Sequence, residues 1–476
     1  MNVRIRPLGG GLLAVAVLLV VAACSPDYAP LPFDAARQPG RLAELQADNA
    51  AEPVELDRFG GWANAPAQFD GLTPGPFFRV EQVDGAWWFV TPDGNPMFSK
   101  GATDVNWLGA NLADDDLHQV LVTKYGDEST WASATHDRLD DWGFNTVGPW
   151  SSGSVVTGRT HGHVILDLAS VRSPRYPGTK VTDYWSPTWV QYARDLMANQ
   201  WAPYANDPYL LGYFLDNELI WGADHFNSTG VSLLQHYIGF PSGSPGRNAA
   251  IDFLRQTAGS LAVFNSTWGT GFTNWDQLAT LNPLQLIPSG PAAVAVTDGF
   301  MLATFEQYAT VAVDAVRRVD PNHLIFGPRF HHYPGDILFR AAAEHFEVVA
   351  MAAYAPDAWL DDLDAITQEV DVPVLVEEFS FKGLDSGYWN IKNWAPRVMT
   401  QADRALAYDR FVETFSRRPY AVGYHWYKWM DNPYRGSDGF SGDNFGLLRP
   451  DDTRYTTFTE HVAQVNRRVE NWHHTG

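Results

Sequence analysis

The stretch "LLGYFLDNELIWG", residues 210–222, is an apolar run that stops on two acids and an amide. Short apolar runs bounded by polar residues are typical of strands that are buried on both faces. A buried strand that ends in Asp216, Asn217 and Glu218 either meets solvent there or contributes these side chains to a site. Similar runs elsewhere in the chain decide between the two interpretations.

Seven further apolar runs resemble this one, and helical patterns separate most of them. In chain order the eight runs cover residues 97–103, 144–149, 163–168, 211–217, 323–329, 348–354, 372–378 and 421–426. Strands that alternate with helices, such as those expected at 187–199 and 298–319, predict an α/β fold of the (β/α)8 TIM barrel type. Residues 221–296 are a long insertion after strand four, whereas residues 151–162 leave little room for a helix between strands two and three.

The chain begins with a basic and then apolar segment. Arg4 and Arg6 precede an apolar run, residues 12–23, that is too short for a typical membrane span and is followed by Cys24. This pattern resembles a bacterial lipobox and predicts that residues 1–24 are a lipoprotein signal peptide and that Cys24 is lipidated. An ordinary signal peptide is the alternative.

The predicted anchor determines how the rest of the chain is divided. Ser25 is not the aspartate that signals retention in an inner membrane, so we expect an outward-facing lipid anchor, in the outer membrane if the cell is Gram-negative. Residues 25–75 are rich in Ala, Pro, Asp and Gly and are interpreted as a flexible tether. Residues 76–476 are predicted to form one folded domain that opens with β-hairpins around Asp84-Gly85.

The overall charge restricts the partners. The chain has 33 basic and 55 acidic residues, a net charge of −22, and this field repels nucleic acid and densely anionic polymers. Its 19 tryptophans include enough aromatic surface to form flat platforms for a ring-shaped ligand. Cys24 is the single cysteine, so a mature chain that begins there has no disulfide and no thiol catalyst. The negative net charge favours a neutral or cationic partner.

Two glutamates stand at the ends of different predicted strands. Glu218 ends strand four and Glu378 ends strand seven, 160 positions later (378 − 218). A protonated carboxyl group that donates to a leaving oxygen and an ionised one that attacks the anomeric carbon are the two groups that glycoside chemistry requires. Each is also compatible with a structural acid at the start of a helix. Glu377 is a rival to its neighbour.

Longer segments resemble the β-agarases of glycoside hydrolase family 50, a family of retaining (β/α)8 enzymes. "GYFLDNELIWG" is similar to the acid/base segment of that family and "VPVLVEEFSFKGLDSG" to its nucleophile segment. "DGAWWFVTPDGNPMFSKGATDVNW" resembles its first strand, and "QADRALAYDRFVETFSRRPYAVGYHWYKWMDNP" its closing helix and eighth strand. "FNSTWGTGFTNWDQL" also resembles family 42 β-galactosidases. The family usually has a large additional N-terminal domain, and it has Gly where this chain has Glu377.

The resemblance implies roles for particular residues. Glu218 is the implied acid/base and Glu378 the implied nucleophile. Asn217 would bind the sugar 2-hydroxyl, Tyr354 would hydrogen-bond the nucleophile, and Trp426 would form a floor under the reacting sugar. Turn or core packing is the alternative for the last three.

Further candidates come from their positions at the predicted strand ends. Trp107, Trp150 and Trp221 are predicted to be sugar platforms or rim packing, and His331 to contact sugar or to be structural. No metal or other cofactor is predicted, although Asp438, Asp443 and Asn444 form a calcium-like loop pattern.

Alternation along strand seven separates the two adjacent glutamates. Successive side chains on a strand point to opposite faces, so Glu378 shares a face with Val374 and Val376. Both faces of the strand are apolar, so the residues alone do not show which glutamate faces inward. The resemblance implies Glu378, because the family's nucleophile directly precedes Phe. Glu377 is then expected on the helix-facing side or at the rim, paired with a base. Together with the two glutamates at strand ends, the resemblance implies a retaining glycoside hydrolase for a β-linked galactan or its oligosaccharides. A β-galactosidase or another β-glycanase is the alternative enzyme, and an inactive glycan-binding surface lipoprotein is the non-enzymatic alternative.

Overall fold

The computed structural model describes residues 30–31, 54–109, 115–162, 164–170, 172–222, 230–357, 359–390, 394–433 and 442–476. The signal peptide prediction and Cys24 lie outside these residues. Within them, none of the helices combines the length and the apolar character needed to cross a membrane.

Short strands alternate with helices along the chain. The strands are β1 (Arg79–Val83), β2 (Ala86–Val90), β3 (Pro96–Met97), β4 (Ser99–Ala102), β5 (Thr146–Val147), β6 (Gly212–Tyr213), β7 (Asp216–Asn217), β8 (Leu324–Ile325), β9 (Pro328–Arg329), β10 (Val349–Ala352), β11 (Val374–Phe379), β12 (Lys382–Gly383), β13 (Arg397–Val398), β14 (Ala421–Trp426), β15 (Asn432–Pro433) and β16 (Gly442–Asp443). The α-helices are α1 (Asp115–Tyr125), α2 (Glu128–Asp141), α3 (Gly153–Val156), α4 (Pro187–Leu196), α5 (Leu233–Ile238), α6 (Pro245–Ala258), α7 (Leu261–Trp268), α8 (Pro291–Arg317), α9 (Asp336–His345), α10 (Leu360–Ile366), α11 (Gln401–Ser416), α12 (Thr456–Asn466) and α13 (Val469–Thr475).

A central parallel sheet organises the molecule. Five strands lie in the order β10-β11-β14-β4-β5, and each adjacent pair is parallel. Two shorter parallel pairs, β6 with β8 and β7 with β9, belong to predicted strands four and five. The predicted α/β class, with a central parallel sheet, is confirmed.

Isolated bridges join the shorter pairs to the five-stranded sheet. His161 bridges both Val147 and Leu210, and Ile165 bridges Phe214, all in parallel. Predicted strand three is represented among the described residues by these bridges and by backbone hydrogen bonds to strand four, such as that from the Leu166 N–H to the Phe214 carbonyl at 2.8 Å. On the other side, Phe330 bridges Met351 of β10, again in parallel. All eight predicted apolar runs therefore take part in parallel pairing.

A three-stranded antiparallel sheet precedes the parallel one. β1 pairs with β2 in the register Arg79↔Val90, and β2 pairs with β3, so the predicted hairpins are confirmed. Phe89 and Met97 from these strands are buried with Phe214 and Leu375 in one apolar cluster. The hairpin sheet thus packs its apolar side chains against those of the parallel strands.

Part of the predicted tether is folded. Phe59, Trp62 and Phe69 are buried, and the Asp57 carboxylate accepts hydrogen bonds from Thr91 and Asn95 beside β3. The tether prediction is therefore wrong for residues 54–75, because their three aromatic side chains gain more by burial than a polar linker composition suggests.

The connections between strands follow the predicted pattern. α3, with four residues, is the only α-helix described between predicted strands two and three, where the sequence leaves little room. Helices α5 to α8 lie between β7 and β8, which is where the long insertion is predicted. α8 is the longest of them, with 27 residues, and follows Gly290 at φ 89°. The insertion therefore lies directly after the strand that ends in Asp216, Asn217 and Glu218.

Candidate active site

One cavity of about 250 Å³ lies where several parallel strands end. Two carboxylates, one amide, one imidazole and four aromatic rings surround it. The lining residues are Trp150, Asn217, Glu218, His331, Tyr354, Glu378, Trp394 and Tyr427. Six of these are residues that the sequence analysis singled out, and they come from five different predicted strands.

Glu218 enters the cavity through an unusual backbone turn. It has a φ of 51°, in the left-handed region that a side chain other than glycine seldom adopts. Its N–H donates to the Arg329 carbonyl at 2.8 Å, which fixes the turn to the neighbouring strand. Its Oε1 lies 3.1 Å from His331 Nδ1, and Asn217 Nδ2 donates to its Oε2 at 3.3 Å. The Glu218 side chain keeps 17% of its surface exposed, so this carboxylate is reached from the cavity.

Glu378 is held more tightly. Tyr354 donates its hydroxyl proton to Oε2, and Arg329 Nη2 donates to Oε1 at 2.5 Å. Only 4% of the residue is exposed. Burial raises the pKa of this carboxyl above its ordinary value, while Arg329 and Tyr354 act in the opposite direction because they favour the ionised form.

Glu377 lies on the same side of the strand as Glu378, so the predicted alternation is wrong. The pairing of β11 with β14 shifts register between Val376 and Phe379, and its pairing with β10 shifts at the same level. Such a bulge lets two successive side chains face one side. Phe379 then points outward and stacks on Phe411 of α11 at 4.2 Å.

The prediction that Glu377 pairs with a base is confirmed. Arg329 Nε donates to its Oε2 at 2.7 Å, and Nη2 donates to the same oxygen. Burial raises the pKa of Glu377 well above its ordinary value, although Arg329 acts against this.

Arg329 connects the two strand ends. Its side chain is fully buried, and Nη1 donates to Asn217 Oδ1 in addition to the bonds to both glutamates. Its guanidinium carbon lies 4.6 Å from the Trp150 ring centroid, in cation–π geometry. Burial alone would lower the pKa of Arg329, but Glu377 and Glu378 outweigh it and raise this pKa, so the arginine is a permanent cation.

Asp216, which precedes Asn217 and Glu218, does not reach the cavity. Its carboxyl group is fully buried and accepts hydrogen bonds from the Ala169 N–H at 2.7 Å and the Tyr308 hydroxyl at 2.8 Å. Burial raises the pKa of Asp216 to about 8. This acid ties the end of β7 to the neighbouring segment and to α8.

Aromatic rings form the remaining wall. Trp150 is 38% exposed and, like Glu218, has a positive φ, of 60°. Trp394 meets Tyr354 edge-on at 4.5 Å and stacks on Phe445 at 4.8 Å. The rings present flat faces and edges of the kind that pack against a sugar ring.

Three of the predicted tryptophans do not line the cavity. Trp107 packs against Trp131, Trp221 packs against Phe305 and Tyr308, and Trp426 packs against Phe458 of α12. Each is at most 7% exposed. The packing alternative therefore describes these three rings, which fill the space between strands and helices.

The histidines and the loop acids are engaged in protein contacts. His332 Nδ1 lies 2.7 Å from the Tyr333 carbonyl. Lys382 donates to Asp443 at 2.9 Å, and Asn444 Nδ2 donates to Asp431 at 3.1 Å. Asp438 lies outside the described residues. In the part of the chain that the structure describes, no group of three His, Cys, Asp or Glu side chains is arranged to hold a metal ion.

Sequence reasoning missed Trp394, Tyr427 and the role of Arg329. Tyr427 directly follows Trp426, the last residue of β14. The ring of Tyr427, and not that of Trp426, lines the cavity. Arg329 ends an apolar strand, and a cation in that setting requires a buried partner, so its pairing with an acid was a signal available in the sequence. Trp394 lies in a loop without periodicity and gave no such signal.

No family model matches this chain. Two curated relatives from Vibrio sp. (strain JT0107) match 90% of it: β-agarase A at 26% identity and β-agarase B at 23%. The chain spans about half the length of these relatives, 49% and 52% respectively. The resemblance to β-agarases predicted from the sequence is confirmed over this extent.

Solved structures extend the similarity to the fold. An exo-β-agarase superposes with a TM-score of 0.75 at 23% identity, covering 92% of this chain and 70% of that one. A second agarase gives a TM-score of 0.74 at 21% identity with the same coverage. A β-galactosidase from the psychrophilic Marinomonas ef1 is more distant, with a TM-score of 0.51 at 13% identity over 78% of this chain and 59% of that one. At these identities, the matches indicate a shared fold.

Proposed function

We propose that this chain is a retaining glycoside hydrolase that cleaves a β-linked galactan or its oligosaccharides. The observation that carries the proposal is the pair of carboxylates, Glu218 and Glu378, which face one cavity from the carboxyl ends of two different strands and differ in their surroundings. Glu378 is buried against a cation and a phenol, whereas Glu218 is partly exposed beside an imidazole. Unequal carboxylates on one cavity are what acid and nucleophile roles require.

The proposed reaction proceeds by double displacement. The Glu378 carboxylate attacks the anomeric carbon while Glu218 gives its proton to the departing glycosidic oxygen. Water, deprotonated by Glu218, then releases the sugar from Glu378 and regenerates both groups. The Asn217 amide lines the same cavity, donates to Glu218 and accepts from Arg329, and its proposed role is to hydrogen-bond the sugar 2-hydroxyl.

The strand pairings support a (β/α)8 barrel as the scaffold of this site. Parallel pairings and bridges connect β4 through β5, the segment around His161, β6–β7, β8–β9, β10, β11 and β14, and β14 pairs with β4 again. In such a barrel the carboxyl ends of all strands converge on one face, which is where active sites of this fold lie. The cavity-lining residues of five predicted strands have this position.

Charge and relatives together favour a neutral galactan. The net charge of −22 and the two carboxylates of the cavity disfavour a densely sulfated polymer. The matched relatives are named β-agarases, and agarose is a neutral galactan. A cavity of about 250 Å³ with aromatic walls suits a single sugar ring.

We further propose that the chain is lipid-anchored to a bacterial membrane through Cys24. The basic, apolar and small-residue pattern of residues 4–24 supports this. The test is membrane fractionation of the wild type and of Cys24→Ala. Retention of the variant in the membrane fraction would contradict the anchor.

Azide rescue tests the two assignments separately. With Glu378→Ala, azide is expected to attack the anomeric carbon directly and give the glycosyl azide of inverted configuration. With Glu218→Ala, azide is expected to attack the glycosyl–enzyme intermediate and give the azide of retained configuration. A panel of neutral agaro-oligosaccharides, β-galactosides and sulfated galactans identifies the substrate. Turnover of none of them, or undiminished activity of both variants, would contradict the proposal.

A further inference from the structure

The buried Arg329 contacts Glu378 of the proposed catalytic pair directly and Glu218 only through Asn217, whose amide donates to Glu218. Nη1 reaches the Asn217 amide beside Glu218, Nη2 reaches the Glu378 carboxylate, and Nε and Nη2 both reach Glu377. A guanidinium group is rigid and planar, so a double contact on one edge fixes the direction of the remaining N–H groups. Glu377 makes that double contact. It therefore determines where the Asn217 and Glu378 contacts of Arg329 can form.

Arg329 favours the ionised form of both glutamates against the effect of their burial, and with both ionised the charges in this group do not balance. One guanidinium serves two carboxylates, and all three side chains have at most 5% exposure. Both oxygens of Glu378 have a donor, Arg329 on one and Tyr354 on the other. Glu377 receives both of its bonds on Oε2, and its Oε1 has no hydrogen-bond partner among the described residues. Glu377 thus accepts hydrogen bonds from Arg329 and offsets part of its positive charge, which would otherwise act on Glu378 alone.

The bulge in β11 is what makes this arrangement possible. Without the register shift, adjacent glutamates would face opposite sides, and Glu377 would lie among the outward-pointing residues near Phe379. With the shift, both carboxylates meet the same cation. The second acid is therefore built into the geometry of the site, where the family pattern has glycine.

We propose that Glu377 is a positioning residue of the active site, which orients Arg329 towards Asn217 and Glu378 and keeps part of its positive charge away from the nucleophile. This inference rests on the proposed role of Glu378. If Glu378 were the only carboxylate bound to the Arg329 guanidinium, it would be more stable as an anion and less reactive towards the anomeric carbon. Glu377 therefore keeps the Glu378 carboxylate correctly oriented and preserves its reactivity towards the anomeric carbon.

The isosteric variant Glu377→Gln tests the charge effect through the pH profile of kcat/KM. Gln keeps an oxygen acceptor for Arg329 but removes the negative charge. We expect the acidic limb to move to lower pH by about one unit, because loss of a neighbouring anion and a larger share of Arg329 both favour ionised Glu378. An acidic limb that stays in place in the folded variant would overturn the inference.

Glu377→Asp tests the positioning effect independently. Its carboxylate keeps the charge but withdraws by one methylene, so Arg329 should turn away from Asn217 and Glu378. We expect kcat to fall about 10- to 100-fold, a loss of the size that misplaced catalytic groups produce. Wild-type kcat and KM in this variant would overturn the inference even if the Gln variant does not fold.

A second buried glutamate provides the matched control. Glu470 pairs with Lys100, and their side chains are 1% and 3% exposed, away from the cavity. Glu470→Gln should lower the melting temperature and leave the pH profile unchanged. If Glu378→Ala is inactive and rescued by azide while Glu377→Gln behaves like the control, this inference fails and the proposed function stands. If Glu378→Ala keeps its activity, the proposed function fails as well.

Discussion

The ends of β7 and β11 each carry two acids, but the two pairs are organised differently. On β7, Asp216 is turned away from the cavity and bound by neutral donors, while Glu218 reaches the cavity through a left-handed backbone turn. On β11, a bulge directs both Glu377 and Glu378 to one buried cation. The first arrangement gives an accessible carboxylate beside an imidazole, and the second gives an anchored carboxylate.

The difference matches the unequal roles proposed for Glu218 and Glu378, although the two stand in similar sequence patterns. A proton donor must approach a leaving group and exchange protons with water, and Glu218 has the exposure for this. A nucleophile must stay ionised and aimed, and Glu378 has donors on both oxygens. The following experiments test this comparison, beginning with the largest expected effect.

Leaving-group dependence should separate the two glutamates most clearly. Glu378→Ala is expected to lose about 10⁴-fold or more in kcat with every substrate, because bond formation itself is lost. Glu218→Ala should lose about 10²- to 10⁴-fold with a poor leaving group, the range for general acid catalysis. Aryl glycosides with a good leaving group need no proton and should restore the first chemical step of the Glu218 variant alone. Equal dependence on the leaving group in both variants would contradict the division of roles.

Tyr354→Phe tests the anchoring of Glu378. The hydroxyl donates to the carboxylate, and a hydrogen bond to a charged group contributes about 1.5–3 kcal/mol, so kcat should fall roughly 10- to 100-fold. The acidic limb of kcat/KM should move to higher pH, because the ionised form loses a donor. Tyr420→Phe is the matched control, since that hydroxyl donates to Asp364 at 2.8 Å outside the cavity. An unmoved limb in Tyr354→Phe would argue against the anchoring role.

Two tryptophan variants separate the cavity wall from the core. Trp150→Ala should raise KM about 2- to 12-fold, because stacking on an aromatic ring contributes about 0.5–1.5 kcal/mol. Trp426→Ala should instead lower stability by about 3–5 kcal/mol, the cost of removing a large buried ring. Steady-state kinetics and thermal unfolding of both variants provide the measurement. If only Trp426→Ala raised KM, the sugar would bind on the helix-facing side of β14, at Trp426, and not in the cavity.

The buried acid of β7 predicts a pH dependence of stability. The pKa of Asp216 is about 8 in the folded chain against an ordinary 3.8, so the folded state binds the proton more tightly than the unfolded state. Its contribution is complete below the ordinary pKa and is lost as the pH rises towards about 8. Asp216→Asn has no carboxyl group to ionise, so its free energy of unfolding does not decrease in this way as the pH rises. The variant should therefore gain stability relative to the wild type between pH 4 and 8, by at most about 1.4 kcal/mol per pH unit.

Denaturant unfolding of both proteins at several pH values measures this effect. The exposed Asp84 in the turn between β1 and β2 provides a control, because Asp84→Asn should show no such trend. Parallel stability curves for the wild type and Asp216→Asn would show that Asp216 is ionised in the folded protein.

The sequence was sufficient for features that depend on local pattern. The apolar runs locate the parallel strands to within a few residues, and the polar residues at their ends locate Asn217, Glu218, His331, Tyr354 and Glu378 around one cavity. Strand periodicity and the convergence of strand ends explain this success.

Features that depend on neighbouring strands were beyond the sequence. The bulge at Glu377 arises from how β11 pairs with β10 and β14, so alternation within the strand alone gives the wrong face. Trp221 and Trp150 have similar positions after their strands, yet one fills the core and the other lines the cavity. The folded segment 54–75 has little periodicity, and its burial depends on contacts with β2 and β3.

Trapping the glycosyl–enzyme intermediate tests the account most directly. A 2-fluoro glycoside of the identified sugar, with a good leaving group, slows the release of the sugar from the enzyme. Mass spectrometry of peptides from the Glu218→Gln variant then locates the attached sugar. We expect a single label on Glu378. A label on Glu377, a label on another residue, or turnover of the natural substrate with initial inversion of the anomeric configuration would contradict it.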